Sequence, residues 1–264
     1  MKNGEFPAVI LAAGYGSLQP NVPKVIESIS SREDRPMIVE VVKSIKATVS
    51  SCFEFKPTLV VNEIYREVIA NCLQAHGHSD CNFVIQPDRL GAGDAVLRAV
   101  PLLQENGWRE FLVVFADMPL WRPETIRHLV LEHLHEMPAI SMVTVAHGAL
   151  SDFRRYGRIL RGPKDEITGV VEPADATAEQ LETSKTVNPS LYVFDLAFFV
   201  EKIYQVEPKE RSDGRPPEIY LPPLVGIAHR AGRKILEVPL ENPSEALGVN
   251  TLTELEEVRR IVDS

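Results

Sequence analysis

Ala8-Val-Ile-Leu-Ala-Ala-Gly14-Tyr-Gly16-Ser17-Leu18 is the stretch on which the fold turns. Six apolar residues without polar alternation describe a strand covered on both faces, the signature of a parallel sheet. Glycines directly after such a strand let backbone N–H groups approach phosphate oxygens in a turn that side chains would obstruct. Spacing alone leaves three readings of Gly14-x-Gly16 open. A P-loop requires G-x-x-x-x-G-K-[ST], which Gly14, Gly16 and Lys24 do not supply. A dinucleotide fingerprint requires a third glycine where Gln19 stands. A plain glycine-rich surface turn requires nothing more.

Outward from this stretch, further apolar runs occur at Thr58–Val61, Phe83–Gln86, Phe111–Phe115, Ile140–Val145 and Val187–Phe194. Amphipathic segments lie between and after them, near 36–48, 63–74, 92–104, 123–135 and 195–204. Pro36 and Pro123 fall where a first helical turn begins, and Ile126, Leu129, Val130 and Leu134 repeat at helical spacing. Strands alternating with helices predict an α/β fold built on a doubly wound, mostly parallel, Rossmann-like sheet. Tyr156–Arg161 and Ile167–Val171 read as short strands joined by the Gly162-Pro163 turn, a hairpin flanking the site. Residues 206–217 read as a charged, proline-rich loop.

The 264 residues carry 28 Lys and Arg against 37 Asp and Glu, a formal charge of -9. Clustered basic charge is what nucleic acids and anionic membranes require, so neither is an expected partner. No run approaches the roughly 20 apolar residues of a membrane helix. Three cysteines, Cys52, Cys72 and Cys81, do not make a disulfide scaffold, and a reducing, cytoplasmic location is expected.

Leu11-Ala-Ala-Gly14-x-Gly16 followed by Pro23-Lys24-Val resembles the sugar nucleotidyltransferase family, and within it the uridylyltransferase domains that act on N-acetylglucosamine 1-phosphate. The likeness continues in the family's order. Gln86-Pro-Asp-Arg-Leu90-Gly91-Ala92-Gly93-Asp94-Ala95 is similar to its Q-x-x-x-L-G-T-G-H-A segment, and Ala116-Asp117-Met-Pro119-Leu120 to its G-D-x-P-L. Tyr156-Gly157-Arg158, Val171-Glu172, Asn188, Glu218-x-Tyr220 and Gly248-Val249-Asn250 follow, so the likeness spans roughly residues 7–252.

The resemblance implies a nucleotidyltransferase-type sheet with a small β subdomain over the site. It further implies one domain over 1–264, with a nucleotide-binding half (1–150), a sugar-binding half (151–250) and a C-terminal helix (251–264). Acetyl transfer is not expected of this chain, and trimerisation through an acetyltransferase half is not assumed. The reaction implied joins UTP to a sugar 1-phosphate, N-acetylglucosamine 1-phosphate above all, and releases pyrophosphate. Nucleotide-binding positions would be Leu11, Ala12, Ala13, Gly14, Gly16, Ser17, Lys24, Gln86, Gly91 and Ala92. Gly157, Glu172, Asn188 and Tyr220 would hold the sugar, and Lys24 and Asp117 would be catalytic. Asp117 and Asn250 would hold Mg²⁺, which takes few protein oxygens and completes its shell with phosphates and water.

Each residue also has a plain structural role. Asp117 can cap the helix after Pro123, Asn250 can cap a helix beginning at Thr251, and Gln86 can be an exposed strand end. Position 18 is leucine where the family loop G-x-G-T-R-M carries arginine, and Gln19, Arg32 and Arg35 are the neighbouring groups able to compensate. Pro222-Pro223 and Pro189-Ser190 likewise replace polar family residues, and prolines donate no backbone hydrogen bond. Such a chain is expected to be an enzyme. The rival is an impaired nucleotide- or nucleotide-sugar-binding protein of the same fold; an NAD-dependent oxidoreductase is disfavoured by Gln19. Cys72, His76, His78 and Cys81 cluster but match no common zinc spacing. His128, His133 and His135 on a charged helix, and the run Glu254 to Arg260, are expected on the solvated surface.

Overall fold

The computed structural model describes residues 4–14, 17–18, 22–48, 53–148, 153, 155–211 and 214–264. Strand β1 (Glu5–Ala12) lies between the parallel strands β2 (Glu54–Val61) and β4 (Glu110–Phe115), with β3 (Asn82–Ile85) parallel beyond β2. Side chains alternate faces along a strand. Phe6, Ala8, Ile10 and Ala12 therefore enter one core, and Val9, Leu11 and Ala13 another. Helices α1 (Met37–Ala47), α2 (Glu63–Ala75) and α4 (Pro123–Glu136) close the first core, while α3 (Gly91–Glu105) closes the second. The predicted doubly wound, mostly parallel α/β core is present.

Beyond β4 the sheet becomes mixed. Strand β5 is Ile140–Ala146, β9 is Tyr192–Asp195 and β10 is Ile235–Pro239; β9 runs antiparallel to both β4 and β5, and β10 parallel to β5. The end of β5 turns into a smaller antiparallel sheet with β6 (Gly157–Arg161), β7 (Ile167–Val171) and β8 (Thr186–Asn188), in the order β5-β8-β6-β7. The hairpin read at 156–171 is its β6–β7 pair.

Three readings need correction. The single run Val187–Phe194 is two strands, because Pro189 interrupts it and Ser190 adopts φ 64°. Helices α5 (Ala178–Thr183) and α7 (Pro223–Arg230), with β10, were not foreseen, whereas α6 (Leu196–Lys202) and α8 (Leu252–Val262) were. His133 is buried rather than solvated, its Nδ1 2.8 Å from Ser141 Oγ. Within Glu254 to Arg260, Glu254, Leu255 and Val258 are buried, and Arg259 donates to the Ser28 carbonyl.

Among the described residues, no helix is long and apolar enough to cross a membrane. Cys52 lies outside those residues. Burial pushes the thiols of Cys72 and Cys81 up to about 11, and Cys72 lends its carbonyl to His76 Nδ1.

Candidate active site

Strands β1 and β4 are neighbours in the sheet, yet their following connections leave in opposite directions across it. Open α/β sheets bind ligands beyond the carboxyl ends of strands at such a switch point. Here the end of β1 delivers Leu11–Gly14 and the end of β4 delivers Asp117. A cavity of about 470 Å³ opens between them. Leu11, Ala12, Ala13, Gly14, Lys24, Gln86, Gly91, Ala92 and Tyr220 line it. A second cavity of about 310 Å³, under the small sheet, is lined by Gly157 and Asn188. Asp117, Glu172 and Asn250 border both, so the two spaces meet at these residues.

At that junction the buried ammonium of Lys24 lies 2.7 Å from Asp117 Oδ2 and 2.8 Å from Asn250 Oδ1. Lys24 reaches them from a single turn of 3₁₀ helix, Lys24–Ile26, entered through Pro23. Neither oxygen-bearing residue serves as the cap it could have been. Helix α4 starts from Arg122, and α8 starts from Thr251 through a reciprocal Thr251–Glu254 box. Glu254 also accepts from the Asn250 backbone N–H at 2.6 Å and pairs with Arg155, while the Val249 N–H donates to the Asp117 carbonyl. Tyr156 steadies the same segment, donating to the Ala246 carbonyl and accepting from the Gly248 N–H. The side-chain oxygens of Asp117 and Asn250 thus converge on one cation position, and a carboxylate with an amide oxygen is a hard donor set that fits Mg²⁺.

Gln86 is 5% exposed rather than a free strand end. Its Nε2 donates to the Gly91 carbonyl at 3.0 Å and to Asp94 Oδ2 at 2.8 Å, and Asp94 is held in turn by Arg98. Glu172 is partly buried between the two cavities, and desolvation raises its carboxyl above the usual carboxylate range. The Asn188 amide is engaged within the protein, donating to Tyr192 Oη and Ser190 Oγ, while its Oδ1 accepts from the Ser190 N–H. Tyr220 belongs to the larger cavity rather than beside Gly157, and its hydroxyl donates to Glu218.

One described position among those expected, Ser17, is not brought to the site. Ser17 is exposed and lines neither cavity, and Gly16 lies outside the described residues. Leu18 is partly buried against the first core. Arg32 borders a separate surface hollow beside the C-terminal helix, and Arg35 pairs with Glu40.

Cations come from elsewhere: Arg89, Arg211 and Arg215 line the larger cavity. Arg89 stands inside the quoted Gln86–Leu90 segment, where its charge was the available signal. Arg211 and Arg215 sit in the loop read only as charged and proline-rich. The Ile219 carbonyl would be 2.5 Å from a Cβ at Gly91, whose φ is +88°, and the Gly93 N–H donates to that carbonyl. Such close approach is what glycine permits, and it carries the loop's two arginines to the cavity wall.

An open α/β sheet with a cation-lined cavity at its switch point and an oxygen pair beside a lysine is an arrangement suited to phosphorylated ligands. The sequence model of the nucleotidyl transferase family matches residues 7–220. The bifunctional protein GlmU of Syntrophotalea carbinolica is 35% identical over 97% of this chain and 51% of its own length. That of Exiguobacterium sibiricum is 33% identical over 92% and 50%. The chain thus spans about half the length of these curated relatives. A solved structure assigned as a glucose-1-phosphate thymidylyltransferase from Bacillus anthracis superposes with a TM-score of 0.71 at 15% identity, covering 97% of this chain and 94% of that one. The CTP complex of a CMP:2-keto-3-deoxy-manno-octonic acid synthetase gives 0.65 at 16%, covering 98% of each. This chain belongs to the nucleotidyl transferase family.

Proposed function

We propose that the protein is a sugar-1-phosphate uridylyltransferase that forms a UDP-sugar and pyrophosphate from UTP and a sugar 1-phosphate, with N-acetylglucosamine 1-phosphate as the sugar substrate. The observation that carries this reading is the meeting of two cavities at Asp117 and Asn250, the two residues whose oxygens hold the Lys24 ammonium. A nucleotide in the cation-lined cavity and a hexose in the smaller one bring their phosphates together there.

A phosphate oxygen of the sugar 1-phosphate attacks the α-phosphorus of UTP in line. The new P–O bond forms as the bond to the β-phosphate oxygen breaks, and pyrophosphate leaves with the electron pair. No general base is required, since a phosphate monoester with a second pKa of about 6 is largely dianionic at pH 7. The task left to the protein is positioning and charge neutralisation between two anions. Lys24 turns its ammonium from Asp117 to the α-phosphate oxygens, Gln86 faces the base, and Glu172 accepts from hexose hydroxyls. Mg²⁺ held by Asp117 and Asn250 supplies further neutralisation of phosphate charge when bound.

One observation favours a second reading, an impaired nucleotide-binding protein: the family's arginine position is filled by Leu18, which packs, partly buried, against the core. The two separate in one assay, pyrophosphate release from UTP and Mg²⁺ with a panel of sugar 1-phosphates. Release above an Asp117→Ala control, greatest with N-acetylglucosamine 1-phosphate, is expected. Binding of UTP or UDP-sugar without release sinks the enzyme reading, and a melting temperature unmoved by either ligand sinks both.

A further inference from the structure

Asp117 and Asn250 each offer one oxygen to the Lys24 ammonium, but their backbones are held by different means. Asp117 stands just beyond β4, where the sheet fixes it. Asn250 lies between the 3₁₀ turn Pro243–Ala246 and α8, outside any strand or helix. The N–H groups of Gly248, Val249 and Asn250, consecutive in that connection, end on three separate parts of the fold. Val249 donates to the Asp117 carbonyl at 2.9 Å, Asn250 to Glu254 Oε2 at 2.6 Å, and Gly248 to Tyr156 Oη at 3.1 Å. The Tyr156 hydroxyl gives its own proton to the Ala246 carbonyl at 2.6 Å, so one oxygen ties both ends of Ala246–Gly248. The Tyr156 ring is steadied in turn by an edge contact with Phe153, the centroids 5.1 Å apart. Tyr156 and Gly248 both line the smaller cavity.

We propose that Tyr156 is a positioning residue for the cation site: its hydroxyl, from the wall of the smaller cavity, aims Asn250 Oδ1 and so sets the affinity for a divalent cation. The inference rests on the reading that Asp117 and Asn250 hold that cation, and it adds the group that orients the second of them. The amide oxygen of Asn250 bears no formal charge, unlike the Asp117 carboxylate, so its pull on a cation depends on where it points. Mg²⁺ takes few protein oxygens and demands near-ideal placement of each. Groups that orient such ligands from behind are commonly worth roughly 10–100-fold in metal affinity. The bonds to Asp117 and Glu254 pin the Val249 and Asn250 amides, and the Tyr156 hydroxyl fixes the chain that leads into them.

The test is titration of the full chain with Mn²⁺, free metal being counted by electron paramagnetic resonance, beside calorimetric binding of UTP without metal. Mn²⁺ is the probe because it takes the same oxygen ligands as Mg²⁺. Tyr156→Phe keeps the ring and its contact with Phe153 and removes only the hydroxyl. Its Mn²⁺ affinity is expected to fall about tenfold, with metal-free UTP affinity unchanged. In pyrophosphate release the variant should lose rate at limiting Mg²⁺ and regain it when Mg²⁺ is raised about tenfold. A merely structural role would lower the melting temperature and leave Mn²⁺ affinity at the wild-type value, and that result overturns the inference. So does a loss of rate that excess Mg²⁺ does not restore. Hydrogen exchange at Gly248 needs no variant to fold: protection is expected, and an amide that exchanges as fast as in an unfolded chain also overturns the inference. If the wild-type protein and Asp117→Ala bind Mn²⁺ alike, the cation reading itself fails and takes this inference with it.

Discussion

Leu18 and Lys24 stand six positions apart and have opposite fates, which shows how little a residue's type decides without its neighbours. Lys24 is drawn into the site because two oxygens, from residues 93 and 226 positions away, converge on its ammonium. Leu18 turns the other way and joins the apolar cluster that contains Val25 and Ile29. Restoring the family's arginine by Leu18→Arg therefore places a guanidinium where an apolar side chain packs. The expected outcome is a loss of about 1–3 kcal/mol, seen as a fall in melting temperature of several degrees, with no gain in pyrophosphate release. A faster enzyme with unchanged melting would show instead that position 18 reaches the phosphates. The sequence made the substitution visible; the direction of the side chain was not, because the preceding strand does not fix the path of the loop.

At the scale of elements, the site is made where loops dock rather than within strands and helices. The segment after residue 206 was legible as a loop from its prolines and charges. Its contact with the start of α3 was not, since the Gly91–Ile219 approach joins positions 128 apart. That contact brings Arg215, itself solvent-exposed, to the wall of the larger cavity. Charge-assisted hydrogen bonds to phosphate are about twice as strong as neutral ones. Arg215→Ala should raise the KM for UTP about tenfold while leaving the melting temperature unchanged. Equal KM values in the two proteins would remove Arg215 from nucleotide binding. The same limit explains the split of β8 from β9. The apolar pattern runs through Val187–Phe194, and only the Asn188–Ser190 turn, closed by the Asn188 side chain, shows where pairing changes partner.

Across the whole molecule, the two cores on either side of the sheet hold one ionisable ring that pattern reading placed in water. His133 lies on the buried face of α4, and burial lowers its pKa from 6.5 to about 4. The folded state thus binds fewer protons than the unfolded state between those values. The resulting stability is fully present above pH 6.5 and is lost as pH falls toward 4. Between pH 6.5 and 5 this group alone should cost about 2 kcal/mol. Burial raises the carboxyls of Glu110 and Glu172, which act with the opposite sign, since protonation then favours the folded state as pH falls. Urea titrations at several pH values, comparing wild type with His133→Gln, isolate the histidine: the variant should lose the acid-side slope that the wild type shows. Parallel slopes in the two proteins would count against a neutral buried ring.

What the sequence determined by itself was the parallel core, the order of its elements, and the identities of Lys24, Gln86, Asp117, Glu172 and Asn250 as candidates. Those follow from local patterns: apolar runs that need cover on both faces, glycines after a strand, and motifs in a fixed order. Tertiary structure alone decided which candidates meet and which way each polar group points. Lys24 bridging Asp117 and Asn250, the hold of the Tyr156 hydroxyl on Ala246 and Gly248, and the arginines of a distant loop all arise from contacts between segments far apart in the chain. Hydrogen bonds and burial are properties of such contacts, and a linear pattern carries no record of them.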